Sequence, residues 1–274
     1  MNNIIFEENI IRITDVQNFD LLQTFDCGQA FRWRQKSDGH WTGCADGKCI
    51  EIYNDGCDIC IKGTDHDTFL NFWANYFDLE RNYGQIISTF STNPTLNAAA
   101  QTGSGIRILN QEPWETLCSF IISQNNNIPR IKGIIERLCE NFGKKCGEFY
   151  SFPSAQTIAQ LTLDDLAVLR SGFRAKYILD AAKKVASGEI VLDTLKSATF
   201  EEAQQQLMKI KGVGPKVADC VLLFSLGHID AFPKDVWIKR ALAELFDGEM
   251  PPEALNAAGI AQQYIFYYIR KKQS

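Results

Sequence analysis

The spacing of hydrophobic and polar positions changes character part-way along the chain. Between Asp15 and Lys62, aromatic and β-branched residues come in short runs broken by Asp26-Cys27-Gly28, Ser37-Asp38-Gly39, Asp46-Gly47 and Asn54-Asp55-Gly56. Short runs bounded by Asx-Gly pairs read as antiparallel strands, because the tightest hairpin turns need φ > 0 at their central positions. Strands are predicted at 30–35, 40–45, 49–53 and 57–62, followed by helices at 65–75 and about 83–92. Beyond Thr102-Gly103-Ser104-Gly105 the spacing becomes helical. In 113–124, Trp114, Leu117, Phe120 and Ile121 fall on one face. Helices at 128–142, 154–159, 162–171, 177–187, 200–210, 217–225, 235–246 and 256–270 continue the series. The prediction is an α+β fold. An N-terminal antiparallel sheet domain (1–105) joins a larger helical domain (106–274) that carries a helix-hairpin-helix at about 200–226.

Composition narrows this only slightly. A chain of 274 residues with 45% hydrophobic and 22% charged residues can bury a substantial core. Its formal net charge of -5 argues against indiscriminate coating of nucleic acid, since neutralising phosphates supplies most such affinity. A local basic footprint is still present, in Lys209, Lys211, Lys216, Lys234, Lys239 and Arg240, with Arg270, Lys271 and Lys272 closing the chain. No apolar run is long enough to cross a membrane, and Met1-Asn2-Asn3-Ile4-Ile5-Phe6-Glu7 lacks the basic start of a signal peptide. The expectation is a cytoplasmic, bacterial, nucleoid-acting protein that works as a monomer. Nine cysteines without a secretory signal read as reduced thiols. Cys44, Cys49, Cys57 and Cys60 are the grouping to weigh as a metal site, but their spacing is not that of two CxxC knuckles. Cys118, Cys139, Cys146 and Cys220 form no C-terminal cluster, so neither zinc nor an iron–sulfur centre is expected.

Candidate chemistry is concentrated in Leu207-Met208-Lys209-Ile210-Lys211-Gly212-Val213-Gly214-Pro215-Lys216-Val217-Ala218-Asp219-Cys220 and in Asp235. Two glycines separate two helical patterns, and Pro215 suits a first helical position, where no amide hydrogen is needed. Such a hairpin offers backbone N–H groups at a helix N-terminus to a phosphate. Lys216, one residue into that helix, is a candidate amine nucleophile for C1′ of a sugar, with a Schiff base on the opened sugar to follow. The amine must be neutral when it attacks, and a helix N-terminus disfavours ammonium. Asp235 reads locally as an N-cap, a role compatible with turning its second oxygen to developing positive charge.

Taken together these motifs resemble the helix-hairpin-helix/Gly-Pro-Asp superfamily of DNA glycosylases, and within it the 8-oxoguanine DNA glycosylase/AP lyase family. The resemblance extends through Cys27-Gly28-Gln29-Ala30-Phe31-Arg32-Trp33 and Ser119-Phe120-Ile121-Ile122-Ser123-Gln124-Asn125-Asn126-Asn127-Ile128-Pro129-Arg130. It continues in Ser171-Gly172-Phe173-Arg174-Ala175-Lys176-Tyr177 and Ala258-Gly259-Ile260-Ala261-Gln262-Gln263-Tyr264-Ile265-Phe266. It implies excision of 8-oxoguanine, preferably opposite cytosine, from duplex DNA, then β-elimination at the abasic site. Lys216 is implied as the nucleophile and Asp235 as the catalytic carboxylate. The Gly28 carbonyl would accept from N7–H of the oxidised base, Cys220 and Phe266 would grip its faces, and Gln262 would read its edge.

Asn125 is implied to fill the gap left by the extruded base, with Arg130 and Arg174 on the orphaned cytosine. Gly212 and Gly214 are expected at the phosphate. The resemblance implies no required cofactor, but a structural cation held by the main-chain carbonyls near Met208, Ile210 and Val213. Phe173 and Trp237 stand where tyrosine and histidine are common in the family, so Phe173 keeps a wedge ring and Trp237 offers only an indole N–H to the strand. A monofunctional alkylbase glycosylase and a non-catalytic DNA-binding module remain alternatives. Lys216 speaks against the first, and the Lys216–Asp235 pair against the second.

Overall fold

In the computed structural model, which describes residues 3–272, six strands form one antiparallel sheet. They are β1 (Asn3–Phe6), β2 (Ile11–Thr14), β3 (Trp33–Gln35), β4 (Trp41–Ala45), β5 (Lys48–Asp55) and β6 (Asp58–Lys62), in the order β1-β2-β6-β5-β4-β3. Strands β3 to β6 fall within a few residues of the predicted runs. Strands β1 and β2 were not predicted, because four residues are too few to establish a period, and β2 completes the sheet by pairing with the distant β6. Alternation in β5 sends Ile50 and Ile52 into an aromatic core and leaves Cys49 and Glu51 on the opposite face. That core contains Phe25, Trp33, Trp41, Phe69, Trp73 and Phe77, with the Phe25 and Trp33 rings stacked 3.9 Å apart.

The helix predicted at 65–75 runs from His66 to Tyr76 with a π turn at Phe69–Trp73 in its middle. The helix Pro94–Thr102 was not predicted, although Asn93 caps it and Pro94 occupies its first turn. The stretch predicted as a helix at 162–171 is a 3₁₀ turn, Asp165–Leu169, ended by Arg170 at φ 53°.

The helical body has its own core, which draws in Tyr83, Ile87, Phe90 and Leu96 from before residue 105 as well as residues after it. Its central element is the helix Pro113–Ser123, buried on nearly every side, which packs against the helix Pro215–Ser225. A glutamine joins the two halves. Gln29 donates to the carbonyls of Thr24 (3.0 Å) and Arg107 (2.8 Å) and accepts from the Leu109 N–H (3.0 Å). That network fixes the turn containing Gly28 against the helical body.

Candidate active site

The hairpin is built from the helices Phe200–Leu207 and Pro215–Ser225. Thr199 and Glu202 form a capping box that starts the first helix. The second begins at Pro215, as the motif predicts and two residues before the periodic run 217–225, with no side-chain cap at Gly214. Gly212 lies at φ 81°, and a β-carbon there would overlap the Tyr177 ring, so both backbone and packing require glycine. Gly214 differs. Its backbone is extended and a β-carbon would meet nothing within 4 Å, which leaves open space beside the helix N-terminus. Asp180 accepts from the Lys211 backbone N–H at 2.8 Å, and Gln204 donates to the buried Asp219 carboxylate at 2.5 Å. These contacts lock the hairpin onto the helix Arg174–Ala186 and onto itself. Of the residues expected near a cation, Ile210 and Val213 bury their side chains while Met208 is exposed, and Val213 N–H donates to the Ile210 carbonyl at 3.0 Å.

Lys216 and Cys220 are one helical turn apart and line the same open pocket, together with Gly28, Asp235, Gln262 and Phe266. Cys27, Phe120, Phe224, Pro233 and Gln263 complete its walls. The Lys216 ammonium sits 5.2 Å from the centre of the Phe120 ring. Burial pushes the Cys220 thiol up to about 11, with the Lys216 ammonium opposing that shift. Asp235 caps the helix Val236–Leu245, its Oδ1 accepting from Ile238 N–H at 2.8 Å, as the local sequence suggests. Gln262 is buried, and its Oε1 has no hydrogen-bond partner among the described residues. A buried amide oxygen without a partner is uncommon and faces a cost that a bound ligand can relieve. Gly28 lies at φ 84°, with Phe266 in ordinary contact distance of where a β-carbon would be.

Sequence reasoning missed three supports of this cavity. Gln263 donates to the Cys27 carbonyl at 3.1 Å, Gln29 anchors the same turn, and Tyr177 closes the hairpin against Gly212. All three lie inside the quoted motifs, but a supporting side chain leaves no spacing signature of its own.

Directly after the helix Pro113–Ser123, the loop 124–127 carries three asparagines with distinct roles. Asn127 caps the helix Ile128–Phe142 by accepting from Arg130 N–H, and Asn126 donates to the Ile122 carbonyl. Asn125 is exposed at φ 47° and its side chain makes no hydrogen bond among the described residues. Arg130 is also exposed. Arg174, expected to contact a base, is only 3% exposed. Its guanidinium donates to the carbonyls of Gln124, Asn125 (2.8 Å) and Ser171 (3.2 Å). Burial and the neighbouring Arg130 hold that guanidinium below its ordinary value. Phe173 is 48% exposed and stacks under Arg174, while Trp237 stands half-exposed beside the strongly exposed Val236.

The cysteines arrange themselves differently from the grouping weighed in the sequence. Cys44 and Cys49 converge with Cys146, while Cys57 is exposed and stands apart. Among the described residues no helix is long and apolar enough to cross a membrane.

Residues 11–117 match the family model of the 8-oxoguanine DNA glycosylase N-terminal domain, and residues 118–257 that of the HhH-GPD superfamily base excision DNA repair proteins. The N-glycosylase/DNA lyase of Saccharomyces cerevisiae is 44% identical over 153 residues, which cover 50% of this chain and 40% of that protein. The N-glycosylase/DNA lyase OGG1 of Arabidopsis thaliana is 30% identical over 231 residues, covering 78% and 63% respectively. The chain thus spans less than two thirds of the length of these relatives. A solved structure of the Clostridium acetobutylicum 8-oxoguanine glycosylase/lyase, bound to double-stranded DNA containing cytosine opposite 8-oxoguanine, superposes with a TM-score of 0.94. It is 38% identical and covers 100% of this chain and 99% of that one. The chain belongs to the 8-oxoguanine DNA glycosylase/lyase family of the helix-hairpin-helix/Gly-Pro-Asp superfamily.

Proposed function

We propose that this protein excises 8-oxoguanine from duplex DNA, preferring cytosine opposite, and then cleaves the abasic strand through a Schiff base on Lys216. The observation that carries the reading is the convergence of Lys216 and Asp235 on one cavity with Gly28, Cys220, Gln262 and Phe266. An extruded purine would lie between Phe266 and the Cys220 thiol. Gln262, whose buried Oε1 lacks a partner, would pair with its Watson–Crick edge, and the Gly28 carbonyl would accept from N7–H, a donor that guanine lacks. Lys216 would first give up its ammonium proton to solvent, its neutral amine would then attack C1′, and the base would depart with the glycosidic electron pair and take up a proton. Ring opening then gives a protonated imine. Loss of a C2′ proton expels the 3′ phosphate, and water hydrolyses the imine to free the lysine. Asp235 Oδ2, the oxygen not used in capping, would stabilise the cationic sugar.

Binding of the strand would use the hairpin amides around Gly212 and Gly214, with a cation on the carbonyls of Met208, Ile210 and Val213 and with Trp237 alongside. Asn125 would enter the gap in the stack with Phe173 beside it. The exposed Arg130 would pair with the orphaned cytosine, and Arg174 would hold the loop that presents both. The test is borohydride trapping on a labelled duplex with one 8-oxoguanine opposite C. A lesion-dependent covalent adduct is expected, and Lys216→Gln should lower strand cleavage by on the order of 10³-fold or more while leaving the fold intact. Unchanged cleavage in Lys216→Gln would sink the reading. Base release without an adduct in the wild-type chain would instead support monofunctional excision.

A further inference from the structure

Away from the cavity, three thiols meet where the sheet touches the helical body. Cys44 and Cys49 are direct partners across β4 and β5, next to the Asp46-Gly47 turn. Both turn residues have positive φ, 49° and 70°, the backbone of a type I′ hairpin. The pair one step back from such a turn is the close-spaced kind, with side chains near each other on one face. Alternation directs that face away from the aromatic core. The third thiol comes from the short ribbon Lys145–Cys146 and Phe149–Tyr150, which follows the helix Ile128–Phe142. The three Sγ atoms lie within 4.8 Å of one another, with Cys49 and Cys146 at 3.1 Å.

We propose that Cys44, Cys49 and Cys146 form a binding site for a thiophilic d¹⁰ metal ion of the zinc(II) class, with an open fourth position for water. Sulfurs bound tetrahedrally at about 2.3 Å from zinc stand roughly 3.8 Å apart, so the observed trio needs only small side-chain adjustments to close on an ion. Sulfur ligands select such soft ions over magnesium or calcium. Metal uptake converts three S–H groups to thiolates and releases their protons to solvent. An entry path exists, because Cys49 also lines an open cleft with Lys36, Glu51, Lys62, Glu148 and Phe149. None of the three cysteines lines the Lys216 cavity, so the bound ion would act as a clamp between the β4–β5 hairpin and the ribbon.

Titration of the reduced chain with cobalt(II) as probe tests this directly. One equivalent should bind, giving intense thiolate-to-metal charge-transfer absorption that zinc(II) then displaces. Cys49→Ser and Cys146→Ser should each lose that absorption, and the exposed Cys57→Ser should keep it, with circular dichroism confirming that each variant is folded. Zinc should raise the melting temperature of the wild type and leave that of Cys146→Ser unchanged. Absence of charge-transfer absorption in the reduced wild type, or its persistence in Cys146→Ser, overturns the assignment. So does a Cys44–Cys49 disulfide, formed in air, that zinc fails to prevent.

Discussion

Two parts of the molecule that would face DNA are built in opposite ways. The hairpin and cavity rest on buried framework: the helix Pro215–Ser225 is buried along most of its length, Gly212 is fitted against Tyr177, and Gln29 and Gln263 pin the Gly28 turn. The 124–130 segment instead presents Asn125 and Arg130 to solvent, and a single buried arginine, Arg174, ties the loop's carbonyls down. A site that must tell one base from a near-identical one gains from rigid donors and acceptors, because reorganisation would erase small energy differences. A wedge that enters only after a base has left needs exposure instead. On the proposed function, rigidity is placed where discrimination would be needed, and exposure where insertion would be needed.

Substitutions can break or sharpen this contrast. The largest effect is expected at Gly212. Gly212→Ala adds a carbon where the Tyr177 ring already lies, at a left-handed φ, and should destabilise the protein by about 2–4 kcal/mol, read by urea unfolding. Gly214→Ala, two residues on, meets open space in an extended backbone. It should cost less than about 1 kcal/mol yet weaken duplex binding, since the methyl occupies the approach to the helix N-terminus. Equal stability losses in the two variants would show that the hairpin is uniformly packed and that its open side serves no ligand.

Arg174 should come next. Arg174→Ala strips the Gln124 and Asn125 carbonyls of their partner and should lower stability by about 1–3 kcal/mol. Arg130→Ala should leave stability unchanged and relax the preference for cytosine in competition assays with all four opposite bases. If Arg130→Ala keeps that preference intact and Arg174→Ala alone abolishes it, Arg174 must leave its carbonyls to contact the base, and its role as a tether is wrong.

The smallest effect concerns Cys220. With its thiol pushed up to about 11, only about one part in 10³ is thiolate at pH 8, so alkylation mapped by mass spectrometry should be slow there and fast at the exposed Cys57. Reactivity should climb as pH rises toward 11, because the raised value delays deprotonation. Rapid labelling of Cys220 at pH 8 would mean that the cavity opens far more readily than its packing suggests.

Much of this architecture was legible in the residues because local signals and tertiary demand agree. Asx-Gly pairs placed the turns of β3 to β6, Pro-after-Gly placed the second hairpin helix, and the 3.6-residue spacing of Trp114, Leu117, Phe120 and Ile121 placed the central helix. Asp235 was legible as a cap for the same local reason. Other features required the chain to fold back on itself. Strand β2 exists because a partner 50 residues away completes its hydrogen bonds, β1 then pairs with β2, and no four-residue pattern announces that. Arg174 reads in the sequence as a contact to the orphaned cytosine, and that its donors also meet the carbonyls of Gln124 and Asn125 is visible only once the loop is folded. Cys146 joined Cys44 and Cys49 across about 100 residues, displacing the sequence-adjacent set with Cys57 and Cys60. The sequence by itself determined the turns, helix starts and residue types on each face, since these follow from φ preferences and side-chain periodicity over a few residues. Only the tertiary structure decided which buried groups meet and which remain unpartnered, because desolvation and hydrogen-bond satisfaction depend on neighbours that local spacing does not encode.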